Sequence, residues 1–88
     1  MVKLENEFLV INAKNEGAEL ISIFLKKDKI EYLWQGDPNY WRFHAPICFP
    51  IIGSLIEDTC LIDDKPYNMT VHGFARDMNF DIYNQEKD

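Results

Sequence analysis

Residues 35–53, QGDPNYWRFHAPICFPIIG, constrain the fold more than any other stretch of the 88-residue chain. Gly36, Pro38, Pro46, Pro50 and Gly53 punctuate them. Each proline removes a backbone donor and pushes the residue before it away from helical angles. No long helix and no central strand can cross this segment. One helical turn fits after Asp37-Pro38, because Asp caps a helix start and Pro suits the first position. Tyr40, Trp41, Phe43 and Phe49 lie in the same stretch, so it is expected to pack down as an ordered loop. Ordered long loops often carry function.

The flanking segments read as β structure. EFLVINA (7–13) is apolar and β-branched, and KNEG (14–17) supplies a turn. In AELISIFLKK (18–27), Ile21, Ile23 and Leu25 fall on one face and Leu20, Ser22 and Phe24 on the other. That period of two predicts a strand, and its apolar character predicts cover on both faces. KKDK (26–29) is a charged turn before a third strand, IEYLW (30–34), with Ile30, Tyr32 and Trp34 on one face. TCLIDDKPYNM (59–69) predicts a hairpin turning at Asp63-Asp64, and NFDIYN (79–84) a further strand. Nothing repeats internally. The expected class is all-β with antiparallel strands.

Eighty-eight residues make one small domain at most. A chain this short buries only about 60–65% of its unfolded surface, so a deep enzyme cleft is hard to build from it. Its 47% hydrophobic content still marks a folded chain. The net charge of −6 comes with scattered basic residues, and Asp28 interrupts their one small cluster at 26–29. Nucleic-acid affinity rests mainly on neutralising phosphates, so no nucleic-acid partner is expected. The same acidity argues against an anionic membrane surface. No apolar run approaches the ~20 residues that cross a bilayer. Glu5 and Glu7 interrupt what a signal peptide would need as its apolar core. Cys48 and Cys60 are too few for a disulfide framework, so a cytoplasmic location with reduced thiols is expected. NMT at 68–70 matches a glycosylation acceptor, which is chance in such a location.

His44, Cys48, Cys60 and His72 could each ligate zinc, but no close Cys or His pair exists. No metal and no cofactor are expected. A Cys–His catalytic pair would need a thiol beside an imidazole that lowers its pKa. Cys48 instead lies between Ile47 and Phe49, in apolar company. Both cysteines read as buried free thiols. His72, within MTVHGFARD (69–77), has three readings: a core histidine, a titrating group, or a hydrogen-bond donor to a polar ligand. Gly73 beside it permits unusual angles or close approach of another group. Arg76 and Asp77 read as a structural ion pair or as part of a site. Trp34, Tyr40, Trp41, Phe43 and Phe74 serve either core packing or the stacking of sugar C–H faces.

GAELISI, EYLWQGDPNYW, APICFPIIG, KPYNMTVHGFARD and NF, taken in this order and spacing, resemble the start of the aldose 1-epimerase (galactose mutarotase-like) family, in its LacX-like branch. The likeness runs over nearly the whole chain. It implies that residues 1–88 form a single partial domain, the N-terminal part of a large antiparallel β-sandwich. It also implies a reaction class. Family members interconvert sugar anomers by acid–base ring opening, with a carboxylate base at the anomeric hydroxyl and a histidine acid at the ring oxygen. By this resemblance His72 is the family's early, sugar-contacting histidine, and Arg76 fits the local HGFAR motif. Ser54 stands where many members carry a sugar-binding arginine. His72, Arg76 and Ser54 are thus the expected substrate-binding residues for a hexose.

The family's catalytic histidine and glutamate fall later in its pattern, and Glu86 matches neither, so no catalytic residue is assigned. The expectation is an aldose 1-epimerase-like protein of carbohydrate metabolism, truncated and inactive alone. The alternatives are a non-enzymatic carbohydrate-binding remnant and a strand-pairing interaction module. A cut sandwich leaves unpaired strand edges, so a homodimer or pairing with a C-terminal portion is expected.

Overall fold

In the computed structural model, alternating apolar residues zip the first third of the chain into one antiparallel sheet. The structure describes residues 1–86; Lys87 and Asp88, the end of the QEKD tail, lie outside the described residues. Strands β1 (Val2–Glu5), β2 (Leu9–Ala13), β3 (Leu20–Leu25) and β4 (Ile30–Glu31) pair in that order as a meander. The register sets Leu4 opposite Ile11, and Ile11 opposite Ile23. Leu9 faces Leu25 on the same side, while Val10 and Asn12 face Phe24 and Ser22 on the other. The period-two reading of β3 therefore holds, with a bulge opposite Asn12 and Ala13 near the end of the ladder.

Local chemistry explains the turns. The Asn6 side-chain oxygen accepts the N–H groups of Phe8 and Leu9, each at 2.8 Å, and reverses the chain between β1 and β2. Gly17, at a φ of +71°, lets the β2–β3 turn press against Arg76, whose carbonyl oxygen would lie 2.6 Å from any Cβ there. At Asp37-Pro38 the single helical turn forms, with the Asp37 carboxylate accepting the Asn39 N–H at 2.9 Å and the Asp37 carbonyl accepting those of Tyr40 and Trp41. Strands β5 (Thr59–Ile62) and β6 (Lys65–Asn68) make the expected hairpin. Asp63 and Asp64 turn it with φ of 51° and 64°, the left-handed pair that a type I′ turn requires.

Two sequence expectations change, and one strand was not foreseen. Val2–Glu5 forms a strand that Lys3 and Glu5 had masked. The third strand shrinks to Ile30–Glu31, and Ile30, Tyr32 and Trp34 all stay exposed. NFDIYN (79–84) forms no strand: it makes one bridge, Asn79 to Glu16, and Phe80 N–H donates to the Asn15 carbonyl at 2.9 Å. Beyond that anchor the segment borders a groove on the β1–β2 face, and the Gln85 side chain donates to the Lys3 carbonyl at 2.9 Å.

Cover is sparse. Every residue of β3 is half-buried and none is fully buried, so the two-sided cover expected of it is incomplete. Among the described residues Ala75 alone is a buried apolar side chain and Glu19 alone a buried charged one. The molecule measures 54 × 34 × 15 Å with a radius of gyration of 16.6 Å. A closed domain of this length has a radius near 12 Å. The thin dimension is that of one sheet with its side chains, since a second sheet would add about 10 Å. Among the described residues no helix is long and apolar enough to cross a membrane.

Candidate functional site

Two irregular segments, FPIIG (49–53) and VHGFAR (71–76), are laced together by backbone hydrogen bonds; the second carries His72 and Arg76, and Ser54 directly follows the first. The Phe49 carbonyl accepts from Phe74 and Ala75 at 3.0 and 3.2 Å, and Phe49 N–H donates to the His72 carbonyl at 3.1 Å. Gly73 makes this approach possible, because a Cβ there would lie 2.2 Å from the Phe49 oxygen, at a φ of +76°. The Phe49–Pro50 peptide is cis.

His72 is held at both ends. Its N–H donates to the Gly53 carbonyl at 2.8 Å. Its ring Nδ1 accepts the Gly53 N–H at 2.9 Å. An amide N–H can only donate, so Nδ1 carries no proton and the neutral ring bears its hydrogen on Nε2. The half-buried imidazole thus presents an N–H donor on its remaining nitrogen. The bond to Gly53 fixes the orientation of the ring. Ser54 follows Gly53 directly and is exposed, so it sits beside the His72 anchor.

Arg76 belongs to a 3₁₀ turn, Ala75–Asp77, that follows the motif. Its guanidinium donates to the Val71 carbonyl at 3.0 Å and lies 5.4 Å from the Phe43 ring centre. Arg42 sits 4.7 Å from the same ring. Phe43 is therefore a platform for two cations, each such contact being worth about 0.5–1 kcal/mol when exposed. No Arg76–Asp77 ion pair forms among the described residues; the ion pairs there belong to Lys3, Lys14 and Lys26.

Sequence reasoning overlooked Glu19. Its side chain is only 3% exposed. One carboxylate oxygen accepts the N–H groups of His44 at 2.6 Å and Ala45 at 3.1 Å. The other meets the Lys14 ammonium at 2.7 Å. Burial pushes this carboxyl up, but Lys14 and the two N–H groups outweigh it and hold it below its ordinary value. Glu19 thereby fixes the loop that bears Phe43. The one signal in the sequence was a lone carboxylate opening an apolar strand in GAEL.

Of the other candidates, His44 ring Nδ1 bonds the Trp34 carbonyl at 2.8 Å, a structural tie. Cys48 and Cys60 are free thiols and half-buried. The described residues hold no cluster of three or more His, Cys, Asp or Glu side chains fit to bind a metal ion. Trp34 and Tyr40 meet edge to face at 6.3 Å, yet both rings and that of Trp41 remain exposed, so the aromatic loop is ordered without being covered.

Comparison with known proteins places this geometry among relatives. The aldose 1-epimerase family model matches residues 1–88. The chain is 43% identical over 86 residues to the chromosomal LacX protein of Lactococcus lactis subsp. lactis, covering 92% of this chain and 28% of that protein. The plasmid-borne LacX of the same organism is 42% identical over the same shares. A galactose mutarotase-like protein of Lactobacillus casei superposes with a TM-score of 0.93 at 41% identity, over 99% of this chain and 30% of that one. A galactose mutarotase related enzyme of Lactobacillus acidophilus gives 0.92 at 35% identity, over 98% of this chain and 29% of that one. The chain thus spans under a third of the length of the relatives it matches.

Proposed function

The chain belongs to the aldose 1-epimerase family, and from that premise we propose that residues 1–88 supply one wall of a hexose site serving anomer interconversion. The observation that carries this reading is the Gly53–His72 clamp. Filling Nδ1 with a backbone N–H leaves Nε2–H as a fixed donor, suited to a sugar hydroxyl or ring oxygen. Ser54 adds a hydroxyl beside it, and Arg76 a guanidinium on the same laced segments.

In this reading His72 binds and orients the sugar and does not move the proton. Ring opening needs a base at the anomeric hydroxyl and an acid at the ring oxygen together. Among the described residues no hydrogen bond or ion pair joins His72 to a carboxylate, so its imidazole has no proton relay. These 88 residues by themselves are therefore proposed to bind a hexose without catalysing its mutarotation. A single wall also buries far less than the 70–90% of a ligand that a full pocket covers. Binding is accordingly weak. The two free thiols are in keeping with a cytoplasmic location.

The test is an NMR titration with D-galactose and D-glucose, paired with polarimetry of freshly dissolved α-D-galactose. The amide signals of Gly53, Ser54, His72 and Arg76 should shift at high sugar concentration. Optical rotation should relax at the buffer rate. No shift at these four residues with either sugar refutes the binding site. A rate above buffer that His72→Ala abolishes refutes the purely binding role.

A further inference from the structure

Residues 14–19 turn the chain between β2 and β3. The turn is closed at its base: Lys14 N–H donates to the Glu19 carbonyl at 2.9 Å, and the Lys14 ammonium meets the Glu19 carboxylate at 2.7 Å. Two sets of contacts leave this turn and converge on Arg76. One holds its backbone. Gly17 N–H donates to the Met78 carbonyl at 2.6 Å, Phe80 N–H donates to the Asn15 carbonyl at 2.9 Å, and Gly17 lies against the Arg76 peptide. The other holds the ring beside its side chain. The Glu19 carboxylate accepts the N–H groups of His44 and Ala45, and Leu20 forms a bridge with Ala45. Phe43, directly before His44, is half-buried, and the Arg76 guanidinium lies over its ring.

We propose that Glu19 is a positioning residue for the Arg76 guanidinium, acting through residues 43–45 and the Phe43 ring. Glu19 touches no ligand in this role. The Val71 carbonyl accepts one guanidinium N–H at 3.0 Å. A single hydrogen bond leaves the planar fork free to swing about it, and the face of Phe43 selects one plane. The remaining N–H donors then point in fixed directions. A donor already oriented loses less freedom on bonding a hydroxyl than one that must first be ordered. The ring selects a plane as long as it is itself held, and Glu19 binds the two residues that follow it. What Arg76 contacts rests on the hexose reading; how Arg76 is aimed does not.

The test follows the NMR signal of the Arg76 Nε–H, first without sugar and then in a D-galactose titration. Glu19→Ala and Phe43→Leu should both move this signal toward that of a freely rotating arginine. Glu19→Gln, which keeps a carbonyl oxygen for the two amides, should move it less. Asn6→Ala removes the acceptor of the β1–β2 turn and serves as the control for general destabilisation, so it should leave the signal in place. Phe43→Leu keeps Glu19 and its bonds, so it decides the case if Glu19→Ala does not fold. Galactose affinity should fall about three- to tenfold in Glu19→Ala, the loss of one ordinary hydrogen bond. A signal unmoved in folded Glu19→Ala or in Phe43→Leu overturns the proposal. So does an equal movement in Asn6→Ala, and so does an unchanged affinity in a Glu19→Ala chain whose Arg76 signal has moved. A wild-type chain that shows no sugar-dependent shift refutes the hexose reading alone, and the sugar-free signals still decide whether Glu19 aims Arg76.

Discussion

Replacing Glu19 by Gln should cost about 2 kcal/mol of stability and flatten its dependence on acid pH. The carboxylate bonds two backbone N–H groups and one ammonium. A hydrogen bond to a charged acceptor contributes about 1.5–3 kcal/mol, and a neutral one roughly half as much. Gln keeps one carbonyl oxygen for His44 and Ala45 but turns N–H groups toward Lys14. Lys14 is 37% exposed, so water takes it back and its loss stays below about 1 kcal/mol. The sum falls under the ~3–5 kcal/mol of a fully buried broken pair. With a urea slope near 1 kcal/mol/M, the midpoint drops by about 2 M.

The pH arm has a fixed sign. Because the folded Glu19 carboxyl lies below its ordinary 4.5, the unfolded chain takes up the proton first as acid is added. The stabilisation is full above about pH 4.5 and is lost as pH falls through the lower folded value. Glu31 shares this behaviour: burial raises its carboxyl, and the Ser22 hydroxyl with nearby N–H groups outweighs burial. The variant should therefore retain a shallower acid limb. Urea titrations at pH 7 and at steps down to pH 3, read by Trp fluorescence, measure both arms. An unchanged midpoint at pH 7 with an unchanged acid limb would refute the account of Glu19.

Gly73→Ala should lose about 2–5 kcal/mol, combining a left-handed backbone penalty of about 1–2 kcal/mol with overpacking of ~1–3 kcal/mol against the Phe49 carbonyl; a wild-type urea midpoint would contradict it. His72→Ala should leave the Gly53 N–H without its acceptor, cost about 1–3 kcal/mol, and remove the sugar-dependent shifts at Gly53 and Ser54, as read by the same NMR titration. Asp64→Gly should relieve strain at a φ of 64° and stabilise the hairpin by about 0.5 kcal/mol. Amide exchange at Cys60 and Tyr67, paired across the hairpin, should then slow about twofold.

Features set by neighbours in sequence were the legible ones. Asp63-Asp64 supplies its own turn chemistry, Asp37 caps its own helical turn, and Ile23 and Leu25 alternate within one strand. What could not be read depends on partners far along the chain. Glu19 looks like a solvent-facing charge until its acceptor oxygen meets amides 25 and 26 residues away. His72 stood out through its motif, yet its protonation pattern is set by Gly53, 19 residues earlier. NFDIYN carries strand-like alternation, but the backbone it meets is that of Asn15 and Glu16, in the turn between β2 and β3, and not a strand. Alternation in Val2–Glu5 was hidden because Lys3 and Glu5 supply its polar half, with Glu5 answered by Lys3 and Lys26.

The candidate site and the core obey different physics here. A site formed by packing would be undefined in a chain whose only buried apolar side chain among the described residues is Ala75. This one is built from directional bonds: Phe49 to residues 72–75, Gly53 to His72 at two points, Glu19 to residues 44 and 45. Backbone bonds of this kind fix a geometry without needing a closed interior, provided that their groups are shielded from competing water. The orientation of His72 Nε2–H can thus exist before any second sheet docks.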